Sequence, residues 1–520
     1  MKNAIMSKII KMKEVQMEKI LGKLQSGSDI RGIAIQYEDK EVNLSRENVG
    51  LLAEGYIAYI SEKLGKDPEN VKISVGTDPR LTASKLKCKF IEELLDSGME
   101  VYDFGISTTP SMFMSTVFEK YSCDAAVMFT ASHLPFYYNG MKFFTREGGF
   151  EKEDIKQLIA LASTNNEETK IIKKGKINKS SILKDYSKFL VEKIRKEVNS
   201  KKNYEMPLEG LRIIVDAGNG SGGFFAKEVL EVLGANTEGS AFLEPDGNFP
   251  NHIPNPEDET AIGYLKKAVL ANKADLGIIF DTDVDRSSCV DKNGEEINRN
   301  RLIALSAAIV LEEFPGSTIV TDSITSTELN EFIIKLGGKH FRYQRGYKNV
   351  INKAKELNDN GIECPLAIET SGHAAFKENH FLDDGAYLVA KILIKLAKLH
   401  ENGENIEKLL ADYKEPKESK EVRLKMKTQS IKETADKIIK DLEEYTEKMS
   451  NWSQVEENYE GIRVNCTYEG GKGWFLLRSS LHEPILCINI ESDFSGGVDK
   501  ILENLGEFLK KYDEVDTSTL

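Results

Sequence analysis

The sequence predicts an α/β protein built from three related α/β units and closed by a smaller α+β unit. Three observations carry this. At 520 residues the chain exceeds what one core of ~100–200 residues accommodates. An apolar β-branched run, a Gly- or Asp-rich turn and an amphipathic helix recur in that order along its first three quarters. Beyond a charge-dense stretch at 413–421, containing Pro416, the pattern changes to one long Lys/Glu-rich helix and several strands.

The repeating units can be taken in order. Val71-Lys72-Ile73-Ser74-Val75-Gly76 leads into Asp78-Pro79-Arg80 and a helix expected near 84–97. The run 211–215 leads into Asp216-Ala217-Gly218-Asn219-Gly220 and a helix expected over 225–233. The run 317–321 leads into Asp322-Ser323 and a helix near 326–336. The segment 164–179 is polar and charged, and is expected to be a linker or surface excursion. After 421, a helix at 430–449, strands at 461–468, 473–478 and 485–491, and a helix at 498–512 make the last unit. The expected domains are 1–180, 181–300, 301–415 and 416–520. In α/β sheets of this kind, ligands sit in loops after the strand carboxyl ends.

The charge balance narrows the function classes. Seventy basic against 84 acidic residues leave a net charge of −14, opposite in sign to a generic nucleic-acid binder. No apolar run reaches the ~18–20 residues that cross a bilayer, so no membrane partner is expected. The first 25 residues are Lys- and Met-rich without the apolar core of a secretory signal. Six cysteines at 88, 123, 289, 364, 466 and 487 form no CxxC pair, which predicts reduced thiols in a cytoplasmic protein.

Four motifs carry chemistry. Asp281-Thr282-Asp283-Val284-Asp285-Arg286 follows the apolar run 276–280. In an extended segment its three aspartates share one face, where they repel unless a cation neutralises them. All-oxygen ligands suit Mg²⁺ or Mn²⁺, and Arg286 suits a phosphate oxygen or a salt bridge to an aspartate. Thr130-Ala131-Ser132-His133-Leu134-Pro135, with Asn139-Gly140-Met141-Lys142 behind it, follows the run 125–129. Ser132 suits either a nucleophile or a helix cap. Adjacency in the chain argues against a Ser132–His133 hydrolase relay, and no G-x-S-x-G elbow occurs. Glu369-Thr370-Ser371-Gly372-His373 offers a carboxylate, hydroxyls and an imidazole on one turn, suited to sugar hydroxyls or acid–base work. Arg478-Ser479-Ser480-Leu481-His482-Glu483-Pro484, between two apolar strands, suits a phosphate clamp or a plain hairpin turn.

These four motifs, in this order, resemble the α-D-phosphohexomutase superfamily: phosphoglucomutases, phosphomannomutases and phosphoglucosamine mutases. The match runs from Gly27-Ser28-Asp29-Ile30-Arg31-Gly32 to the 478–484 loop. The resemblance implies three α/β/α domains and a fourth TATA-box-binding-protein-like α+β domain around a central cleft. It implies interconversion of hexose 1- and 6-phosphates through a phosphoserine and a bound hexose 1,6-bisphosphate, which also serves as activator. By the same resemblance Ser132 carries the phosphoryl group, and Asp281, Asp283 and Asp285 hold one Mg²⁺ with a Ser132 phosphate oxygen. Arg31, His133, Lys142 and Arg286 surround the reacting phosphate, with Lys142 as general acid/base. Glu369, Ser371 and His373 read the sugar, Lys348 meets the substrate, and Arg478, Ser480 and His482 hold the distal phosphate.

The chain departs from the family pattern in two places. Ser480-Leu481-His482-Glu483-Pro484 stands where Ser-Gly-Thr-Glu-Pro is usual, so an imidazole replaces a hydroxyl donor. Ser28-Asp29-Ile30-Arg31 stands for Thr-Ser-Gly-Ile-Arg, so only Arg31 carries over. The Glu-Thr-Ser-Gly-His turn resembles the bifunctional phosphomannomutase/phosphoglucomutase branch. The rival readings are a phosphoglucosamine mutase, a catalytically dead sugar-phosphate-binding homologue and a Mg²⁺-dependent hydrolase. A monomer or a homodimer is equally compatible with the sequence.

Overall fold

The computed structural model describes residues 14–164, 174–480 and 483–520. The chain divides into two compact units. Unit 1 comprises residues 1–298 and 371–406, and unit 2 comprises 299–370 and 407–520, so the chain passes between them after Asn298, Thr370 and Ile406.

Unit 1 contains two sheets. The first is built from β1 (Gln25–Ser26), β2 (Asp29–Ile33), β3 (Lys72–Thr77), β4 (Glu100–Ile106), β5 (Ala125–Phe129), β6 (Tyr138–Thr145), β7 (Gly148–Gly149) and β8 (Ile177–Lys179). Its order is β1-β2-β6-β5-β3-β4-β8, with β7 on β6. Strands β3, β4, β5 and β8 run parallel, and β6 is antiparallel to β2 and β5. Helices α1 (Arg46–Leu64), α2 (Ala83–Asp96), α3 (Thr109–Val117) and α4 (Lys152–Thr164) accompany it. Helix α1 starts at Ser45, whose side chain accepts from Asn48 N–H, and ends at Gly65 with φ +61°. Every residue of β5, Ala-Ala-Val-Met-Phe, is buried, as a central strand with both faces covered requires. That strand delivers the chain directly to Ser132.

The segment 164–179, expected to be a linker or surface excursion, is in part a strand. Residues 165–173 fall outside the described region, but Ile177–Lys179 pairs parallel with β4. Polar residues suit this place because β8 is an edge strand whose side chains face water.

The second sheet of unit 1 has the order β12-β11-β10-β9, from β9 (Ile213–Asp216), β10 (Leu276–Phe280), β11 (Ser287–Asp291) and β12 (Glu296–Ile297). Helices α5 (Ile182–Val198) and α6 (Glu259–Asn272) belong with it. The helix expected over 225–233 is instead a π-helix at Phe225–Leu230, with Glu231 N–H reaching Ala226 O. Strands β10 and β11 form a hairpin in which Phe280 opposes Ser287, so residues 281–286 are its connecting loop. Against β9 and β10, Ile214, Leu265, Val269 and Ile279 make a local core.

Unit 2 begins with α7 (Arg299–Glu313), β13 (Thr318–Asp322), α8 (Thr327–Lys335), β14 (Lys339–Tyr343), α9 (Tyr347–Asp359) and β15 (Leu366–Ile368). Strand β13 lies parallel to both β14 and β15. The chain then returns to unit 1 with the antiparallel pair β16 (Ala374–Phe376) and β17 (Leu382–Asp383) and helix α10 (Gly385–Glu401). Asp384 caps α10 through Tyr387 N–H and accepts from Tyr186 OH on α5 at 2.6 Å.

The remainder of unit 2 is an antiparallel sheet in the order β18-β22-β21-β20-β19. Its strands are β18 (Glu418–Lys425), β19 (Trp452–Gln454), β20 (Ile462–Tyr468), β21 (Gly471–Ser479) and β22 (Ile485–Ser492). Helices α11 (Ile431–Thr446) and α12 (Gly497–Leu509) cover one face, with Ile438 and Leu505 in one core with Leu424, Phe475 and Ile488 of the strands. Within unit 2 this sheet is joined to the β13 loop by Arg463, which donates to Ser323 O at 2.9 Å and Thr325 O at 3.0 Å. The same guanidinium lies 3.6 Å over the Trp474 ring, and Tyr459 stacks on Phe341 with centroids 5.1 Å apart.

Behind the 281–286 loop, the β9 turn holds a buried ion pair. His252 Nε2 lies 3.0 Å from both Asp216 carboxylate oxygens, and Nδ1 lies 2.9 Å from Ile253 O. Burial alone would lower the imidazole pKa; the hydrogen bond and charge of Asp216 outweigh it, and the net shift is upward from 6.5. A raised native pKa stabilises the fold fully below the unfolded value and loses that contribution as pH rises through the native one. Unfolding free energy should therefore fall as pH climbs from ~6.5, and His252→Asn should flatten this slope in urea unfolding curves recorded across the neutral range.

Candidate active site

The strongest motif is positioned by the β10–β11 hairpin. Asp281 continues β10 and Arg286 returns into β11, with Asp281 N–H on Arg286 O at 3.3 Å. The aspartates do not alternate along a strand, as the extended reading expects. The chain turns between them, Val284 takes φ +67°, and the three carboxylates converge inside the turn. A β-branched residue is an outlier there, and it is held by Gly385 N–H donating to Val284 O at 3.1 Å. One oxygen from each of Asp281, Asp283 and Asp285 lies within 4.8 Å of the others, and all three residues are buried.

Lys142 from β6 donates to Asp283 Oδ2 at 2.9 Å and also pairs with Asp285. Arg286 donates to Asp281 Oδ2 from Nε and NH2 at 3.2 and 3.1 Å. Two cations thus face three carboxylates. Burial and repulsion from Asp285 and Asp283 raise Asp281 well above the usual carboxylate range. Asp285 is buried too, but Lys142 beside it draws its pKa down. Asp283 Oδ1 and Asp285 Oδ1 are buried without a hydrogen bond. Orphaned carboxylate oxygens in a negative, all-oxygen cluster fit a hard divalent cation.

Ser132 meets this cluster directly. Its Oγ donates to Asp281 Oδ2 at 3.0 Å and accepts from Arg286 NH2 at 3.3 Å. Ser132 has φ +52°, a left-handed backbone that carries the hydroxyl to the carboxylates, and it lies between β5 and β6 with no helix to cap. Its neighbour His133 comes within reach too: Nδ1 lies 3.3 Å from Ser132 Oγ and 2.7 Å from Arg286 NH2. Adjacency therefore does not separate the two side chains. Burial, with Arg286 and Arg31 nearby, holds the His133 pKa well below the ordinary value, so the ring is neutral. Arg31, on β2, donates to Asp29 at 2.9 Å.

The turn 369–373 spans the division between units. Ser371 and His373 lie in unit 1, where His373 bridges Arg286 through the backbone and Nδ1 bonds Asp383. Asp383 and Asp285 raise the His373 pKa to about 9 against the effect of burial. Glu369 and Thr370 lie in unit 2: Glu369 Oε1 accepts from Gly346 N–H at 2.6 Å, and Thr370 bonds Asp322 through N–H and Oγ1. Lys348 is half-buried in the first turn of α9. Arg478, at the end of β21, is 4% exposed and its Nε has no hydrogen-bond partner. Ser480 N–H donates to Ile485 O, and Ser480 Oγ accepts from Glu483 N–H at 3.3 Å. His482 lies outside the described residues.

Several residues around Ser132 escaped the motif reading. Thr109, at the start of α3, donates to Asp283 from both N–H and Oγ1. Asp383 anchors His373. Asp78 and Arg80 underlie the Ser132 loop, with Thr130 Oγ1 bonding Asp78 Oδ2 at 2.7 Å and accepting from Ser132 N–H at 2.9 Å. The only sequence signal for Arg80 was its place in a strand-end turn.

Comparison with known proteins identifies the family. The phosphoglucomutase/phosphomannomutase alpha/beta/alpha domain I, II and III models match residues 22–170, 184–294 and 298–415. A phosphomannomutase/phosphoglucomutase of Pseudomonas syringae pv. tomato is 32% identical over 87% of this chain and 89% of its own length. A phosphoglucomutase of Neisseria gonorrhoeae is 30% identical over 83% and 86%. The crystal structure of a phosphoglucomutase/phosphomannomutase family protein from Burkholderia thailandensis aligns with a TM-score of 0.76 and 25% identity over 95% of this chain and 97% of that one. Among the described residues no helix is long and apolar enough to cross a membrane. The chain belongs to the phosphoglucomutase/phosphomannomutase family of the α-D-phosphohexomutases.

Proposed function

We propose that the protein is a phosphoglucomutase/phosphomannomutase that interconverts hexose 1- and 6-phosphates through phospho-Ser132. The observation that carries this reading is Ser132 Oγ, bonded at once to a buried aspartate of the triad and to Arg286. In this reading Asp281, Asp283, Asp285 and a phosphoserine oxygen hold one Mg²⁺. When bound, that ion would draw charge from the seryl phosphate. Arg286, Arg31 and neutral His133 spread the remaining charge. A sugar hydroxyl oxygen bonds phosphorus as the Ser132 Oγ–P bond breaks, and the hydroxyl proton passes in net to Oγ. Lys142, between two aspartates, is assigned to relay that proton. The resulting hexose 1,6-bisphosphate then returns its other phosphoryl group to Ser132.

Glu369, Ser371, His373 and Lys348 are assigned to the sugar, and Arg478, Ser480 and His482 to the non-reacting phosphate. The unpartnered buried Nε of Arg478 supports that clamp. We further infer four domains with boundaries near 180, 300 and 415, a cytoplasmic location, and a monomeric or homodimeric enzyme whose partner is the hexose phosphate.

A panel of glucose, mannose and glucosamine 1-phosphates with a 1,6-bisphosphate activator tests the reading. Glucose and mannose phosphates should turn over fastest, and Ser132→Ala should lose about a thousandfold or more together with the phospho-species in intact mass. Turnover of the amino sugar alone would make the protein a phosphoglucosamine mutase, and no turnover would leave a binding homologue. Mg²⁺ titrated into chelator-treated protein should restore activity and raise the melting temperature, the latter because it relieves carboxylate repulsion. Arg478→Gln removes charge-assisted hydrogen bonds worth ~1.5–3 kcal/mol. It should raise KM about ten- to a hundredfold while Ser132 still becomes phosphorylated.

A further inference from the structure

The turn Asp78-Pro79-Arg80 has no part in the chemistry above, yet its arginine is fully engaged with the Ser132 loop. Arg80 is 2% exposed, and its side chain has five N–H donors in a rigid planar fork. Nε donates to Asp78 Oδ2 at 3.1 Å. NH1 donates to Pro135 O at 2.9 Å and Tyr138 O at 3.0 Å. NH2 donates to Leu134 O at 2.7 Å and to Ser132 O. The guanidinium also lies 5.3 Å from the Phe249 ring centroid, and Gly247 bridges the Arg80 backbone. A Cβ on Gly247 would meet Pro79 O at 2.3 Å, so that side of the turn is closed by direct backbone contact.

The segment 132–137 is irregular as far as the start of β6, and its largely covered carbonyls need donors that a sheet or helix would otherwise supply. One side chain supplies four of them. The residue so held, Ser132, is also the one with φ +52°, a conformation that costs a non-glycine residue free energy unless its surroundings fix it. Thr130 Oγ1 fixes the same residue from its N–H, and Asp78 links Thr130 to Arg80.

We propose that Arg80 is a positioning residue for phosphoryl transfer: by gathering the carbonyls of residues 132, 134, 135 and 138 it locks the left-handed Ser132 backbone and aims Oγ at the aspartates. Its guanidinium nitrogens all donate to protein acceptors, so its role is exerted through Ser132. A lysine keeps the charge beside Asp78 but offers three donors from a single atom, and cannot span four carbonyls. This role rests on Ser132 being the phosphoryl carrier.

The test compares wild type, Arg80→Lys and Thr130→Val at equal concentrations of folded protein. Phosphorylation of Ser132 by glucose 1,6-bisphosphate is followed by intact mass, alongside kcat and KM for glucose 1-phosphate and melting temperature. Arg80→Lys should slow both Ser132 phosphorylation and kcat by about a hundredfold, the scale of a misplacement of ~1 Å, with KM within about threefold of wild type. Thr130→Val should act in the same direction and more weakly. If either rate per folded molecule is unchanged in Arg80→Lys, or if KM alone rises, the positioning role falls while Ser132 remains the carrier. If wild-type Ser132 takes up no phosphoryl group, the reading of the site falls first and this role with it.

Discussion

Three buried carboxylates in one six-residue hairpin loop are the constraint around which unit 1 is arranged. Isolated ionised groups at this depth cost several kcal/mol each unless opposed. The opposition comes from separate parts of the chain: Lys142 from β6, Arg286 from the loop's own end and the Thr109 donors from α3. Lys142 and Thr109 thereby tie the hairpin loop of the second sheet to the first, and Arg286 does so through Ser132 Oγ. Two carboxylate oxygens, on Asp283 and Asp285, nevertheless stay unbonded. A phosphoryl group on Ser132 would add roughly two more negative charges. In the proposed reading, a divalent cation would answer both the unbonded oxygens and the charge of a phosphorylated Ser132.

Much of this was legible in the sequence because strand ends announce loops. The runs 125–129 and 276–280 are apolar throughout, which marks buried strands, and the polar residues that follow could only be loop. The mode of convergence was not legible. Alternation along a strand would also bring the aspartates together, and nothing in Asp-Thr-Asp-Val-Asp says that Val284 takes a left-handed turn instead. The supporting residues were hidden for a different reason. Arg80 meets Ser132 across 52 positions and Thr109 meets Asp283 across 174, so each looks like an ordinary turn or helix-start residue in its own surroundings. The same limit applies to the segment 164–179, whose polarity fits a linker and an edge strand equally well.

The two units divide the chemistry by charge. Unit 1 concentrates carboxylates around a hydroxyl, a setting for a metal and a transferable group. Unit 2 places a buried Arg478 at the end of β21 and Lys348 at the start of α9, the cations assigned above to phosphate and substrate in the proposed reading. Within unit 2, Glu460 connects the loops that carry these groups. It accepts from Arg345 N–H at 3.1 Å and from Ser323 Oγ, and its other oxygen lies 4.0 Å from Arg478 NH1. Gly461 next to it is required by contact: a Cβ there would meet Leu477 O at 2.1 Å. Segments read as separate motifs in the sequence thus share one carboxylate.

Both reactive loops of unit 1 hold one non-glycine residue at positive φ, Ser132 and Val284, and neither conformation is favourable alone. Such strain survives where neighbouring bonds over-determine it. Around Ser132 these are the Arg80 fork and Thr130 Oγ1; around Val284 they are Gly385 N–H and the Thr109 grip on Asp283. Gly385 must be glycine for this, since a Cβ would meet the Arg286 carbonyl carbon at 2.6 Å. Phosphoryl transfer gains chiefly from fixed position and fixed charge. In the proposed cycle Ser132 loses a phosphoryl group and recovers it from the opposite end of the sugar, which needs the same geometry in both halves. A backbone held in an otherwise unfavourable conformation by its surroundings meets that need better than a relaxed loop, because loss of the phosphoryl group removes none of the bonds that hold it.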